Sequence, residues 1–181
     1  ALTYTTAVSH TMQLSPSKIW GQTEGIKKAL SRCANNASVS IERKTNFEQK
    51  TDRFNPFILD VADTSLLALN SSFRNTLFFN RSNADFGMNY TFGDSRNKNL
   101  LTNGFESRNV TKHEVAMRWN LIDAFTLNTR AEAGQSSAQS DFLSSRNYLL
   151  DVQSGGAELS WQPDPGLRLG VSATWTERKN R

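Results

Sequence analysis

Between Val110 and Ala133 the chain reads VTKHEVAMRWNLIDAFTLNTRAEA, and the period-two alternation of this stretch limits the fold more than any other feature. Val115, Met117, Trp119 and Leu121 fall on one side; Lys112, Glu114, Arg118 and Asn120 fall on the other. Beyond Ile122-Asp123-Ala124, the residues Phe125, Leu127, Ala131 and Ala133 alternate with Thr126, Asn128, Arg130 and Glu132. Successive side chains of a strand point to opposite faces, so the pattern predicts a hairpin in a sheet with one apolar and one polar face. Each arm runs to about ten residues, the length a tilted strand needs to cross a bilayer and longer than the ~5–6 of a soluble sheet.

The same period recurs along the chain. Leu2, Tyr4, Val8, Met12 and Leu14 alternate with Thr3, Thr5, Ser9, Thr11 and Gln13, which predicts a first strand ended by Ser15-Pro16-Ser17. A short helix is expected near residues 23–33, where Thr23 can cap and Ile26, Ala29, Leu30 and Cys33 form a 3.6-residue stripe. It lies within a partly helical connection over 15–36. A second strand is expected over 37–49 and a long packed loop over 50–70. In that loop Asp63-Thr64-Ser65 can cap one helical turn at Leu66 to Leu69. Strands then follow at Phe73–Arg81, Phe86–Phe92, the central hairpin, Tyr148–Trp161 and Leu167–Glu177. The connections 82–85, 122–124 and 162–166 read as short turns, and 50–70, 94–109 and 135–146 as long polar loops. Gly155-Gly156 predicts a bulge or a close backbone approach.

In an antiparallel meander this order puts every short turn at one end and every long loop at the other, the asymmetry of an outer-membrane barrel. The aromatic side chains divide the same way. Phe79, Phe86, Trp119, Phe125 and Trp161 lie near the short turns; Phe73, Tyr90, Phe92, Tyr148 and Trp175 lie near the long loops. Two such rows are the expected lipid-interface girdles. Arg96, Lys98, Arg108, Lys112, Arg146 and Arg178, with Lys179, gather at the long-loop end, where they are candidate contacts for the phosphates of outer-leaflet glycolipid.

Composition narrows the classes. Hydrophobic residues make up 37% of the 181, so burial has to come from one-sided patterning. No run approaches the ~18 apolar residues of a membrane helix, a requirement that barrel strands escape because only alternate residues face lipid. The net charge of +4 is spread among Asn, Ser and Thr rather than massed in one patch, which argues against nucleic acid as a partner. A single Cys33 excludes an internal disulfide. The chain starts at Ala1 with neither an initiator Met nor a signal peptide, so a mature chain or a segment of a longer one is expected.

The segment RNTLFFNRSNADFGMNYTFGDSRNKNLLTNGFESR, the hairpin RWNLIDAFTLN and the closing SWQPDPGLRLGVSATW together resemble the strand-rich region of large, mostly uncharacterised outer-membrane β-barrel proteins of Bacteroidota-type bacteria. The resemblance spans roughly residues 70–179. It implies a barrel in the outer membrane of a Gram-negative bacterium, linked to transport or secretion. It also implies lipid and glycolipid around the wall, with further barrel strands or subunits of a membrane complex as partners. It brings no functional residue. The chain departs from such barrels in its long 15–36 connection and in ending on Glu177-Arg178-Lys179-Asn180-Arg181, where an aromatic residue is usual.

No catalytic or cofactor signature accompanies the pattern. His10 and His113 stand alone in separate strands, and HExxH, CxxC, Walker, GxGxxG and GxSxG motifs are absent. Glu114, Glu132 and Glu158 are placed to share a face with Arg118, Arg130 and Arg168 as cross-strand pairs, a structural arrangement rather than an acid–base one. The expectation is therefore an all-β antiparallel up-and-down meander of about eight long strands, a membrane β-barrel or part of a larger one. It is not an enzyme and takes no cofactor or metal. Its role is structural, transport or secretion-related, in the bacterial outer membrane. The alternative is a soluble β-sheet binding module or surface adhesin.

Overall fold

The computed structural model describes residues 4–14, 32–46, 66–81, 83–122, 124–164 and 166–181, the side chains at 4–6 and 121 excepted. They form one sheet of eight antiparallel strands in sequence order: β1 (Tyr4–Leu14), β2 (Cys33–Thr45), β3 (Leu66–Phe79), β4 (Phe86–Leu101), β5 (Gly104–Ile122), β6 (Phe125–Ser140), β7 (Tyr148–Asp164) and β8 (Leu167–Asn180). One 3-10 turn, Ser144–Arg146, interrupts the β6–β7 connection. The predicted all-β meander of eight long strands is therefore the observed fold. The sheet does not close: no Cα of β1 comes within 8 Å of β8.

Two of the expected long loops are ladder instead. β4 and β5 stay paired to Leu101↔Gly104, across a turn at residues 102–103. β6 reaches Ser140, which leaves residues 141–147 as its connection to β7. The long-loop ends of these strands thus rise as paired ribbons. Their backbone bonds need no apolar face, and polar side chains on both sides hide the period of two. The sequence sign of the β4–β5 hairpin is Asn103-Gly104; Gly104 takes φ +124°, a conformation that L side chains rarely adopt.

Three further expectations change. The helical turn at Leu66–Leu69 is strand, because Leu69 and Ala68 pair with Arg43 and Lys44 of β2. Cys33 opens β2 rather than closing a helix, and the strand expected over 37–49 runs from 33 to 45. The rest of the expected helix, and most of the 15–36 and 50–70 connections, lie outside the described residues. Gly155-Gly156 carries no bulge; its ladder is continuous from Ala131↔Gly155↔Trp175 to Arg130↔Gly156↔Thr174. The close approach there is by a side chain: the Trp175 indole occupies the space where a Cβ on Gly155 would stand.

A single sheet leaves little to bury. Among the described residues only Ile41, Leu66 and Ala138 are buried apolar side chains, and no helix or second sheet covers either face.

Candidate membrane interface

The register sorts every strand onto two faces. One carries Met12 and Leu14 of β1, Val39 and Ile41 of β2, Phe73, Leu77 and Phe79 of β3, and Phe86, Met88, Tyr90 and Phe92 of β4. It continues with Val115, Met117 and Trp119 of β5, Phe125 and Leu127 of β6, Leu159 and Trp161 of β7, and Leu169, Val171 and Trp175 of β8. Many of these stand open to the surroundings, Trp119 at 45%, Trp175 at 54% and Val171 at 74% exposure. Apolar surfaces of this extent mark protein-interaction, membrane or ligand-binding faces.

The opposite face carries Thr76, Thr91, Asn89, Arg118, Glu114, Lys112, Asn128, Arg130, Glu132, Glu158 and Arg168. A cavity of about 510 Å³ opens on it, lined from β3 through β8 by residues that include Phe78, Asn89, Arg118, Arg130, Glu158 and Thr174. The cavity and the buried side chains of Thr91, Ala138 and Ser160 all lie on this polar side, the hollowed or concave face; the apolar side is the convex face. The glutamates and arginines expected to share a face do so. Arg130 bonds Glu114 at 2.8 Å and lies 3.5 Å from Glu132; Lys112 bonds Glu132 at 2.9 Å; Arg168 stands 4.0 Å from Glu158. Arg118 instead donates to the Asn83 carbonyl at 2.6 Å. The bases are more than half exposed, so each pair contributes only ~0–1 kcal/mol.

The apolar residues form a band that runs oblique to the ladder. One row of partners crosses all eight strands: Leu14, Asn35, Leu77, Tyr90, Val115, Ala131, Gly155 and Trp175. On β1 this row meets the band at its turn-side edge, since Leu14 is the last apolar residue before Ser15-Pro16. On β8 it meets the band at its far edge, since Glu177 and Lys179 follow Trp175 on that face. The turn-side edge on β8 is Leu167, eight residues away. Eight residues are about 26 Å along a strand and seven strand spacings about 34 Å, an inclination of about 38°. The band itself is about 21 Å tall between its terminal Cα positions at that inclination.

Nine of the ten expected girdle aromatics lie on the convex face: Phe79, Phe86, Trp119, Phe125 and Trp161 toward the turns, Phe73, Tyr90, Phe92 and Trp175 toward the other end. Tyr148 does not; it pairs with Ala138 on the concave face. The rings meet in neighbouring pairs. Phe125 stacks with Trp161 at 6.0 Å, Phe79 meets Phe86 edge-on at 6.4 Å and Phe73 meets Phe92 at 6.0 Å. His113 joins the far row, where its Nδ1 and the Tyr90 hydroxyl share a hydrogen bond of 2.8 Å. His10 pairs with Val39 on the same face but four strands away. A polar pair also sits within the band, where Asn35 Nδ2 donates to Asn75 Oδ1 at 2.9 Å; the alternation gave no sign of it.

The six candidate phosphate contacts separate. Arg96 and Lys98 stand on the convex face above Phe92. Arg108, Lys112 and Arg178 are on the concave face, turned away from the girdle, and Arg146 lies in the 3-10 turn, 3.8 Å from Glu106. Arg43 of β2 joins the convex set through the row Arg43↔Leu69↔Lys98. Above the band on β7, Asp151 accepts from the Gln135 amide at 3.1 Å and faces Arg181. The Gln135 hydrogen bond, with help from Arg181 and Lys179, holds its carboxyl below the ordinary value.

Among the described residues no helix is long and apolar enough to cross a membrane, and no group of three His, Cys, Asp or Glu side chains is placed to hold a metal ion. No protein-family model, curated protein or solved structure matches the chain.

Proposed function

We propose that this sheet is wall of a β-barrel in the bacterial outer membrane, with a structural, transport or secretion-related role. The observation that carries this reading is the oblique apolar band. A flat hydrocarbon slab cuts tilted strands at a slant to their hydrogen-bonded rows. The slant here, about 38°, falls within the 35–45° tilt of membrane barrels. The band height of about 21 Å is close to the ~25 Å apolar belt of such barrels. A protein layer packed on a twisted sheet can also lie at an angle to the ladder, but a flat slab holds one inclination and one height across all eight strands. The cavity on the polar side supports the same reading, because a barrel wall in lipid keeps its polar face inside.

The test is partition and heat-modifiable migration. The protein is expected to need detergent, to float with phosphatidylcholine vesicles, and to run on gels at different positions before and after boiling. A monodisperse monomer in detergent-free buffer overturns the proposal and makes the soluble binding module the reading to pursue.

A further inference from the structure

The geometry points to a second copy of this chain as the occupant of the β1–β3 sector of the convex face, where His10, Asn35 and Asn75 interrupt the apolar band. This inference rests on the barrel reading and adds a partner to it. At the inclination of the band, one residue along a strand rises about 2.6 Å and one strand toward β8 rises about 3 Å. Counted from Leu14 at the turn-side edge, His10 lies four residues up β1, and Asn75 lies two strands across and two residues up. Their heights are thus about 10 Å and about 11 Å, the middle of a band about 21 Å tall. Asn35, one strand across from Leu14, is lower, at about 3 Å. At mid-height β4 to β8 carry Tyr90, Val115, Thr129, Ala157 and Val171. The Tyr90 hydroxyl is bonded to His113, and Thr129 adds a single hydroxyl. The carboxamides and the imidazole at this depth therefore belong to one sector of the wall.

Hydrocarbon cannot satisfy these groups. Asn35 Nδ2 donates to Asn75 Oδ1 at 2.9 Å, which uses one carboxamide nitrogen and one carboxamide oxygen of the pair. The Asn75 Nδ2 and the Asn35 Oδ1 remain to be met, and His10 is exposed. Polar side chains at membrane depth pair with one another or across a protein contact. Two copies inserted the same way round are related by a two-fold axis along the membrane normal, which keeps every residue at its own height. His10 and Asn75 share a height and stand about 12 Å apart in the membrane plane. With the axis midway, His10 of each copy faces Asn75 of the other. An imidazole and a carboxamide each offer a donor and an acceptor, so the two surfaces are complementary in partial charge, and the symmetry makes the contact twice. Ala37 and Val39 of β2 lie on either side of the midpoint. The small side chain of Ala37 lets the two convex walls approach there. An unrelated partner has no need of this equality of height; a second copy does.

The experiment reconstitutes the full chain in phosphatidylcholine vesicles at high lipid dilution. Ala37→Cys in a Cys33→Ser background, treated with a short bis-maleimide, is expected to yield a covalent dimer. Val115→Cys in the same background, at the same height on β5, is expected to stay monomeric. No dimer from Ala37→Cys, or equal dimer from both, overturns the interface. Step photobleaching of labelled protein over a dilution series then gives the dissociation constant of the dimer. His10→Leu or Asn75→Leu is expected to weaken dimerisation about tenfold, the scale of two hydrogen bonds made in hydrocarbon. The double variant is expected to be no weaker than either single one, because both remove the same contact. Unchanged affinity overturns the polar contact, and additive losses overturn the pairing of His10 with Asn75. Heat-modifiable migration checks that each variant is folded. A protein that never enters vesicles refutes the barrel reading itself; one that enters and stays monomeric refutes only this interface.

Discussion

In the turn-side half of β5, Trp119, Met117 and Val115 stand on the convex face while Arg118, Ala116 and Glu114 stand on the concave one. In the far half, Asn109 and Ser107 replace the apolar set, with Arg108 and Glu106 behind them. The backbone ladder passes through both halves from β4 to β6, its one register shift lying beside the turn, between Asn120 and Ile122. Pairing of main-chain groups is thus indifferent to what the side chains face, whereas the side-chain pattern sets the polarity of each side. Where it alternates, the two faces differ in polarity; where it stops alternating, both are polar. The change falls one position above the ring row of Phe92 and His113.

The strongest test of this division puts one charge in each half of the same strand and face. Met117→Arg is expected to cost about 2–4 kcal/mol of stability in vesicles, the penalty for arginine on a lipid-facing strand near mid-bilayer. Asn109→Arg, eight residues along, is expected to stay within about 0.5 kcal/mol. Urea unfolding from phosphatidylcholine vesicles measures both, and equal costs would erase the distinction between the halves. A packing test inside the band comes next. Any side chain added at Gly155 displaces the Trp175 indole. Gly155→Val is expected to lose about 1–3 kcal/mol, as overpacking does. A Cβ at Gly93 meets nothing within 4 Å, and Gly93→Val is expected to be nearly neutral by the same measurement.

The smallest effect belongs to the far half. Asp151 has its carboxyl held below its ordinary 3.8, first by the Gln135 hydrogen bond. A depressed folded value means that the carboxylate contributes stability above the ordinary range and loses it as pH falls through the folded value. Asp151→Asn is therefore expected to be slightly less stable at neutral pH. The gap should close below pH 3.8 and narrow with added salt. A gap that persists in acid would assign the effect to packing.

The same division explains what the sequence revealed. Val115, Met117, Leu127 and Leu159 alternate with charged or amide neighbours, so strands within the band could be read directly, and the hairpin at Ile122-Asp123-Ala124 with them. Asn97, Lys98 and Asn99 or Gln135, Ser136 and Ser137 have no apolar partner in the period, so their strands read as loop. Leu66-Leu67-Ala68-Leu69 is apolar without alternation, and Asp63-Thr64-Ser65 before it suits a helix cap; pairing with β2 decided between them. Parity already placed Lys112 with Glu114 and away from the girdle. Tyr148 and Trp161 are thirteen residues apart on one strand, so strict alternation puts them on opposite faces; only a bulge such as the one expected at Gly155-Gly156 would bring them together, and the ladder has none there. The slant of the band was beyond a reading of one strand at a time, since it exists only in the relation of eight registers.

If the sheet is barrel wall, as proposed, the outer rims of β1 and β8 have a consequence for how it would enter a membrane. Within the apolar band each rim offers main-chain N–H and C=O groups with no neighbouring strand among the described residues. Water satisfies them at no cost, but hydrocarbon charges several kcal/mol for each. For two rims the total reaches tens of kcal/mol, more than the whole net stability of a typical domain. An open leaf of this kind cannot dissolve in lipid first and find its lateral neighbours later; zipping up both rims and leaving the aqueous phase have to occur as a single concerted event.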